Sequence, residues 1–172
     1  MYNDVEFKDL PYNDRMKPKD NLSRAAFDQY AKFMHFKYKG IGVDGSEKVT
    51  SLEIPALLRN MPDVEIWTES DSKNHLVEIK GCGNKGVKIR EDKLGIYCEY
   101  NKMFDVFIFI YNASSSRYAF MPLNKLVDIA SKIGTSYDKS MGIIYNIPVG
   151  NISWADAPVI HLPQYADNYT NN

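Results

Sequence analysis

The sequence has 172 residues, of which 44% are apolar and 25% are charged, and its formal net charge is −1. A chain of this length can bury its own core without disulfides or structural metals, and its apolar runs fall short of the roughly 20 residues that a membrane-spanning helix needs. The near-neutral charge excludes attraction of nucleic acid by the field of the whole molecule, so such a role would require locally clustered lysines and arginines.

The first twenty residues predict an irregular N-terminal arm, because they mix charges with Pro11 and Pro18 and show no clear period. They lack the apolar block of a secretory signal. The two cysteines, Cys82 and Cys98, have no cysteine at metal-ligand spacing. We therefore expect an intracellular, cytoplasmic protein with reduced thiols. The abundance of Asn, Lys and Tyr would suit an AT-rich viral or bacterial genome, and a viral protein would act in the host cytoplasm.

A helix is predicted from Asn21, because apolar residues recur at helical spacing through the next four turns. Asn21 or Ser23 provides a cap, and Gly40 provides a stop signal. The segment from residue 41 to residue 61 contains a glycine-marked turn and the stretch KVTSLEI, which is compatible with a strand, but Pro55 interrupts either assignment. The second half of that segment has no assigned structure.

The next two segments, DVEIWTE and HLVEIKG, read as strands joined by the polar turn SDSKN, which predicts a hairpin. The remaining predicted elements are, in chain order, a glycine-rich loop in GCGNKGVK, a helix in IREDKLGIYCEYNKMF, a buried strand in DVFIFIYN, a strand in RYAFM, a helix in PLNKLVDIASKIG and a strand in MGIIYNIPV. Strands in a hairpin and between helices predict an α/β fold with a mixed central β-sheet flanked by helices. We expect one domain at residues 21–162 and a flexible tail at residues 163–172.

The predicted hairpin gathers charged side chains on one face. Successive strand residues alternate between faces, so Glu78 and Lys80 lie opposite to Val77 and Ile79. If the hairpin buries its valines and isoleucines together, Asp63 of the first strand lies on the same face as Glu78 and Lys80. Two carboxylates about 4 Å apart repel by about 4 kcal/mol near a protein surface. The pair therefore needs a raised pKa or a cation, and Mg²⁺ is the hard cation that suits carboxylate oxygens.

The combination of Pro62 and Asp63 at the start of one strand with Glu78 and Lys80 in the next resembles the PD-(D/E)XK nuclease superfamily. The likeness is greatest to its Holliday-junction resolvases and phage endonucleases, and it covers about residues 20–125. The resemblance implies a restriction-endonuclease-like core that binds DNA and hydrolyses phosphodiester bonds with Mg²⁺, for which Mn²⁺ would substitute.

The resemblance also implies roles for individual residues. Asp63, Glu78 and the backbone carbonyl of Ile79 would bind the metal, and Lys80 would be the catalytic lysine. The family often adds an acidic residue from its first helix, and Asp28 occupies that place, either as a ligand or as a solvated helix residue. One branch, similar to RecB, carries a glutamine followed by a tyrosine on the helix after the lysine. This chain supplies Tyr97 without the glutamine, which argues against that branch.

Four basic residues follow the predicted active-site strand, and they are candidates for binding the DNA backbone. They are Lys85, Lys88, Arg90 and Lys93. The alternative is an ordinary charged surface loop.

Two functions follow from the sequence. The first is a metal-dependent DNA endonuclease selective for branched or flapped DNA, acting as a two-fold homodimer because a resolvase cuts two strands symmetrically. The second is a catalytically inactive nuclease-fold protein that binds nucleic acid or regulates a partner.

Overall fold

A computed structural model describes residues 12–41, 55–69 and 73–156, without side chains for residues 12–20 and 56. The predictions for the stretch KVTSLEI and for the tail at residues 163–172 lie outside the described residues, as does the arm before residue 12. Within the described ranges, no helix is both long enough and apolar enough to cross a membrane.

The described chain forms four helices, nine strands and a short 3₁₀ helix. The helices are α1 (Tyr12–Phe33), α2 (Ala56–Arg59), α3 (Glu91–Tyr100) and α4 (Leu123–Ile133), and the 3₁₀ helix is Val149–Asn151. The strands are β1 (Lys37–Gly40), β2 (Val64–Trp67), β3 (His75–Cys82), β4 (Val87–Arg90), β5 (Val106–Asn112), β6 (Arg117–Pro122), β7 (Ser136–Asp138), β8 (Gly142–Ile147) and β9 (Ala155–Asp156).

The central sheet has six strands in the order β1-β2-β3-β5-β6-β9. β3 and β5 pair in parallel and every other neighbouring pair is antiparallel, so the sheet is mixed. This confirms the predicted fold class. β4, β8 and β7 form a second, antiparallel sheet of three strands.

Helices cover both faces of the central sheet. On one face, Phe27 and Tyr30 of α1 pack against a core that includes Val77 and Ile79 of β3. On the other face, Tyr97 of α3 and side chains of α4 pack against β3, β5 and the second sheet. β3 therefore lies between two hydrophobic cores, which fixes the direction of each of its side chains.

The first helix differs from the prediction at both ends. Its backbone is helical from Tyr12, so it includes part of the predicted arm, and it ends at Phe33 instead of continuing to Gly40. His35 has a positive φ of 56°, which a helix cannot accommodate. The following residues form β1, whose hydrogen bonds to β2 replace those of another helical turn.

The predicted glycine-rich loop is much shorter in the structure. Its first residues continue β3 as far as Cys82, and its last residues begin β4 at Val87. Only Gly83–Gly86 forms a tight turn, closed by a hydrogen bond of 3.1 Å from the Gly86 N–H to the Gly83 carbonyl. The two sheets are therefore joined directly beside the predicted active-site strand.

Candidate active site

The β2–β3 hairpin places Asp63 opposite Glu78. Val64 pairs with Val77 in the antiparallel register, so the residue before Val64 faces the residue after Val77. Asp63 Oδ2 accepts a hydrogen bond of 2.8 Å from the backbone N–H of Ile79. The expected gathering of Asp63, Glu78 and Lys80 at one site is therefore present in the structure.

Glu78 is a buried charge held by two lysines. Only 1% of the residue is exposed, and its Oε1 forms ion pairs with Lys80 Nζ and, at 3.2 Å, with Lys93 Nζ. Burial raises the pKa of this carboxyl, but the combined attraction of Lys80 and Lys93 outweighs it and holds the pKa at about 2. Glu78 is therefore ionised across the physiological range.

Within the part of the chain that the structure describes, the second oxygen of Glu78 has no hydrogen-bond partner. Glu78 Oε2 is buried, and the nearby Tyr97 hydroxyl is also buried without a partner. The negative charge of Glu78 adds to burial in raising the Tyr97 pKa well above its usual value. The two groups nevertheless do not meet hydrogen-bond geometry. A buried carboxylate oxygen without a partner is costly, and a donor or a cation would relieve the cost.

Asp63 differs from Glu78 because its pKa is raised instead of lowered. Its side chain is 22% exposed and forms an ion pair of 3.0 Å with Arg24 of α1. Burial and the charge of Glu78 raise its pKa to about 6, although the Ile79 N–H, Lys80 and Arg24 all act to lower it. The pKa values of the two acids therefore differ widely. The site disfavours ionisation of Asp63 and favours ionisation of Glu78.

Basic side chains line a cleft beside this acid pair. The cleft has a volume of about 210 Å³ and is lined by Lys80, Lys88, Ile89, Arg90, Lys93 and Met141. Three of the four predicted substrate-binding residues lie in its wall. Lys85, at the exposed tip of the β3–β4 turn, is not among the lining residues.

Acidic neighbours hold two of the cleft cations. Lys88 forms an ion pair of 2.7 Å with Asp138 of β7, and Arg90 donates to Asp92, with Nε at 2.9 Å from the nearer oxygen. Both basic side chains are about half exposed, so solvent and a ligand can reach them. An incoming phosphate could replace either carboxylate as the partner.

Asp28 is not part of the acid cluster in the structure. Its Oδ1 accepts a hydrogen bond of 2.6 Å from the Tyr38 hydroxyl of β1, whereas Arg24, one helical turn earlier, contacts Asp63. In residues 21–41, 55–69 and 73–156, no three His, Cys, Asp or Glu side chains are arranged to hold a metal ion. The structure thus assembles two carboxylates rather than three, and it adds Arg24, which the sequence analysis did not identify.

The donor set fits a hard divalent cation. Mg²⁺ usually takes one or two protein carboxylates and completes its shell with water and phosphate oxygens. Asp63 and Glu78 lie opposite each other, the charge of Glu78 raises the pKa of Asp63, and Glu78 Oε2 is buried with no hydrogen-bond partner among the described residues. The Ile79 backbone is adjacent, since its N–H binds Asp63.

Comparison with known proteins finds similarity in solved structures alone. No protein-family model and no curated protein sequence matches the chain. Hjc, a Holliday junction resolvase of the archaeal hyperthermophile Archaeoglobus fulgidus, is similar with a TM-score of 0.44 and 10% identity, over 76% of this chain and 89% of that chain. D212, a nuclease from a fusselovirus, is similar with a TM-score of 0.43 and 12% identity, over 84% of this chain and 88% of that chain.

Proposed function

We propose that this chain is a Mg²⁺-dependent DNA endonuclease that hydrolyses phosphodiester bonds. The observation that supports the proposal most strongly is the buried Glu78 carboxylate, placed opposite Asp63 and beside Lys80 at the edge of a cationic cleft. A protein rarely buries an ionised carboxylate among lysines without a function for it, because desolvation is expensive.

Each residue has a distinct role in this proposal. Asp63 and Glu78 would hold the ion, and Mn²⁺ would substitute for Mg²⁺. A bound divalent ion supplies charge for the scissile phosphate and a more acidic water. Lys80 lies next to Glu78, where its ammonium group can bind a phosphate oxygen and stabilise negative charge as it develops. Lys88 and Arg90 would hold the neighbouring backbone through charge-assisted hydrogen bonds.

The finer part of the proposal concerns the DNA itself. The sequence contains no recognisable sequence-reading module. We therefore favour selectivity for branched or flapped DNA over recognition of a base sequence. A homodimer on a branched substrate belongs to the same proposal, and light scattering with and without DNA measures its mass.

A cleavage assay with matched variants tests the activity. Purified protein is incubated with branched, single-stranded and linear DNA in Mg²⁺, Mn²⁺ or EDTA. We expect EDTA to abolish cleavage, and Glu78→Gln and Lys80→Met to reduce the rate by about a hundredfold or more. Glu99→Gln is the control, because Glu99 is an exposed acid that pairs with Lys102 on the surface of α3. Undiminished cleavage by both active-site variants would refute the proposal.

A second candidate is a nuclease-fold protein that binds nucleic acid without cleaving it. This candidate is favoured because both acids already have basic partners in place of a metal ion. Arg24 pairs with Asp63, and two lysines pair with Glu78. Calorimetry with Mn²⁺ separates the two functions. Binding that disappears in Asp63→Asn and Glu78→Gln protein supports the nuclease. DNA binding without any such Mn²⁺ site supports the binding protein.

A further inference from the structure

Two lysines from different elements share one oxygen of Glu78. Lys80 follows Glu78 by two residues on β3, and Lys93 reaches the same Oε1 from α3 at 3.2 Å. Lys93 also lies over the Tyr97 ring, with Nζ 5.7 Å from the ring centroid, and its side chain is 28% exposed in the wall of the cleft. Lys93 is thus in contact with Glu78 and also lines the space where a phosphate would lie.

The charges at this site are unbalanced when a divalent cation is added. Two carboxylates, Asp63 and Glu78, already lie beside three basic groups, Arg24, Lys80 and Lys93. Like charges this close together repel one another at the effective dielectric near a protein surface. An ion held by Glu78 therefore competes with the ammonium groups on that residue.

Lys93 is the lysine better able to change partner. The pleat of β3 places Lys80 on the same face as Glu78, two residues away, so its backbone keeps it beside the acid. Lys93 approaches from a separate helix through a flexible four-carbon stem, and the Tyr97 ring offers its ammonium a second attractive surface. Other cations of the cleft wall, Lys88 and Arg90, pair with Asp138 and Asp92 and not with Glu78.

We propose that Lys93 exchanges Glu78 for a phosphate oxygen of the nucleic acid when the ion binds, an inference that rests on the proposed nuclease function. Without nucleic acid, Lys93 occupies Glu78 and weakens ion binding. A phosphodiester in the cleft gives its ammonium another partner and releases Glu78 for the ion. The ion and the nucleic acid then bind cooperatively, and by linkage each strengthens the other by the same factor.

Calorimetric titration of Mn²⁺ tests this exchange. The titration is done with and without a saturating phosphorothioate oligonucleotide, which resists cleavage, in wild-type, Lys93→Met and Lys102→Met protein. In the wild type, the oligonucleotide should tighten Mn²⁺ binding by at least about fivefold. Lys93→Met alone should bind Mn²⁺ about fivefold more tightly than the wild type, and the added effect of the oligonucleotide should shrink. Lys102→Met should match the wild type, since Lys102 pairs with Glu99 outside the cleft.

The outcomes separate this inference from the proposed function. Mn²⁺ binding that depends on Glu78, but is equal or weaker in Lys93→Met, overturns the exchange and leaves the nuclease intact. A complete lack of Glu78-dependent Mn²⁺ binding in the wild type overturns both. Lys93→Gln repeats the measurement with a different side chain, and circular dichroism of each variant shows that the comparison is between folded proteins.

Discussion

The two acids of the candidate site respond to the same surroundings in opposite ways. Glu78 is the more buried, yet two lysines hold its pKa at about 2. Asp63 is the more exposed, yet burial and the charge of Glu78 raise its pKa to about 6 in spite of Arg24. The cations therefore keep Glu78 ionised. The repulsion between the two carboxylates then appears as the raised pKa of Asp63.

Asp63→Asn should stabilise the fold while it removes the proposed nuclease activity. The unfolded chain ionises Asp63 near its ordinary pKa of 3.8, whereas the folded protein holds the proton up to about pH 6. Between these values the folded state binds more protons, so the free energy of unfolding falls as the pH rises, and it stays reduced above pH 6. A shift of this size corresponds to at most about 3 kcal/mol.

Urea denaturation at pH 4.5 and pH 7 measures this effect. Glu78 contributes alike in both proteins, because its lowered folded pKa adds stability that becomes fully present only as the pH rises past its ordinary value of 4.5. The wild type should lose stability between the two pH values, and Asp63→Asn should lose less and be the more stable protein at pH 7. Equal losses in the two proteins would show that ionisation of Asp63 is not what lowers the free energy of unfolding.

At the residue scale, the sequence predicted the neighbours within the hairpin but not those from the helices. Strand alternation together with the hairpin register places Asp63, Glu78 and Lys80 on one face, because both relations lie within the hairpin. Arg24 and Lys93 reach the site through the packing of α1 and α3, which no local pattern encodes. The same packing explains Asp28, which lies one helical turn from Arg24 and contacts Tyr38.

At the element scale, the turn between β3 and β4 determines how the cleft is built. Gly86 has a φ of +100°, and a Cβ atom there would lie 2.0 Å from the Ile147 carbonyl oxygen of β8. This close approach lets β4 pair with β8 immediately after the turn. Lys88 and Arg90 consequently stand beside Lys80 in one cleft, although they belong to a different sheet.

Gly86→Ala should therefore destabilise the protein by about 3 kcal/mol or more, because it combines a strained φ with a backbone clash. Gly95→Ala is the matched control, since its Cβ would meet nothing within 4 Å and it lies inside α3. That substitution should stabilise the helix by up to about 1 kcal/mol. The measurement is the free energy of unfolding in urea. Equal effects of the two substitutions would contradict the close approach at Gly86.

The elements that the sequence predicted are those with strong local patterns. The apolar run of β5 and the amphipathic α4, bounded by Pro122 and Gly134, appear as expected. The strands that were missed are short and depend on their partners. All four residues of β1 are exposed, so its strand conformation comes from hydrogen bonds to β2 and not from an apolar pattern. β4 begins within a stretch whose glycines predicted a loop.

At the scale of the whole molecule, the net charge of −1 conceals a local concentration of positive charge. Four basic residues line one small cleft, and their acidic partners in the described residues are three, Glu78, Asp92 and Asp138. Nucleic-acid binding should therefore depend on these few contacts and be weak at high salt, since each phosphate contact releases a counterion.

The salt dependence of DNA binding should report the number of cleft cations that contact phosphate. With four contacts, the logarithm of the association constant should fall with the logarithm of the salt concentration with a slope of about −3 to −4. The double variant Lys88→Met/Arg90→Met should reduce the magnitude of this slope by about 2. Fluorescence anisotropy with the phosphorothioate oligonucleotide in Mg²⁺ measures binding without cleavage. A slope that the double variant leaves unchanged, or that Lys102→Met reduces equally, would place the DNA elsewhere.

The position of β3 inside the central sheet affects how the protein unfolds on heating. β3 is hydrogen-bonded to β2 on one side and to β5 on the other, and apolar cores cover both of its faces. Its amide protons should consequently exchange with deuterium among the slowest in the molecule. Local opening of peripheral segments would leave Glu78 in position, so the proposed nuclease activity should persist until the cooperative melting of the domain and be lost with it.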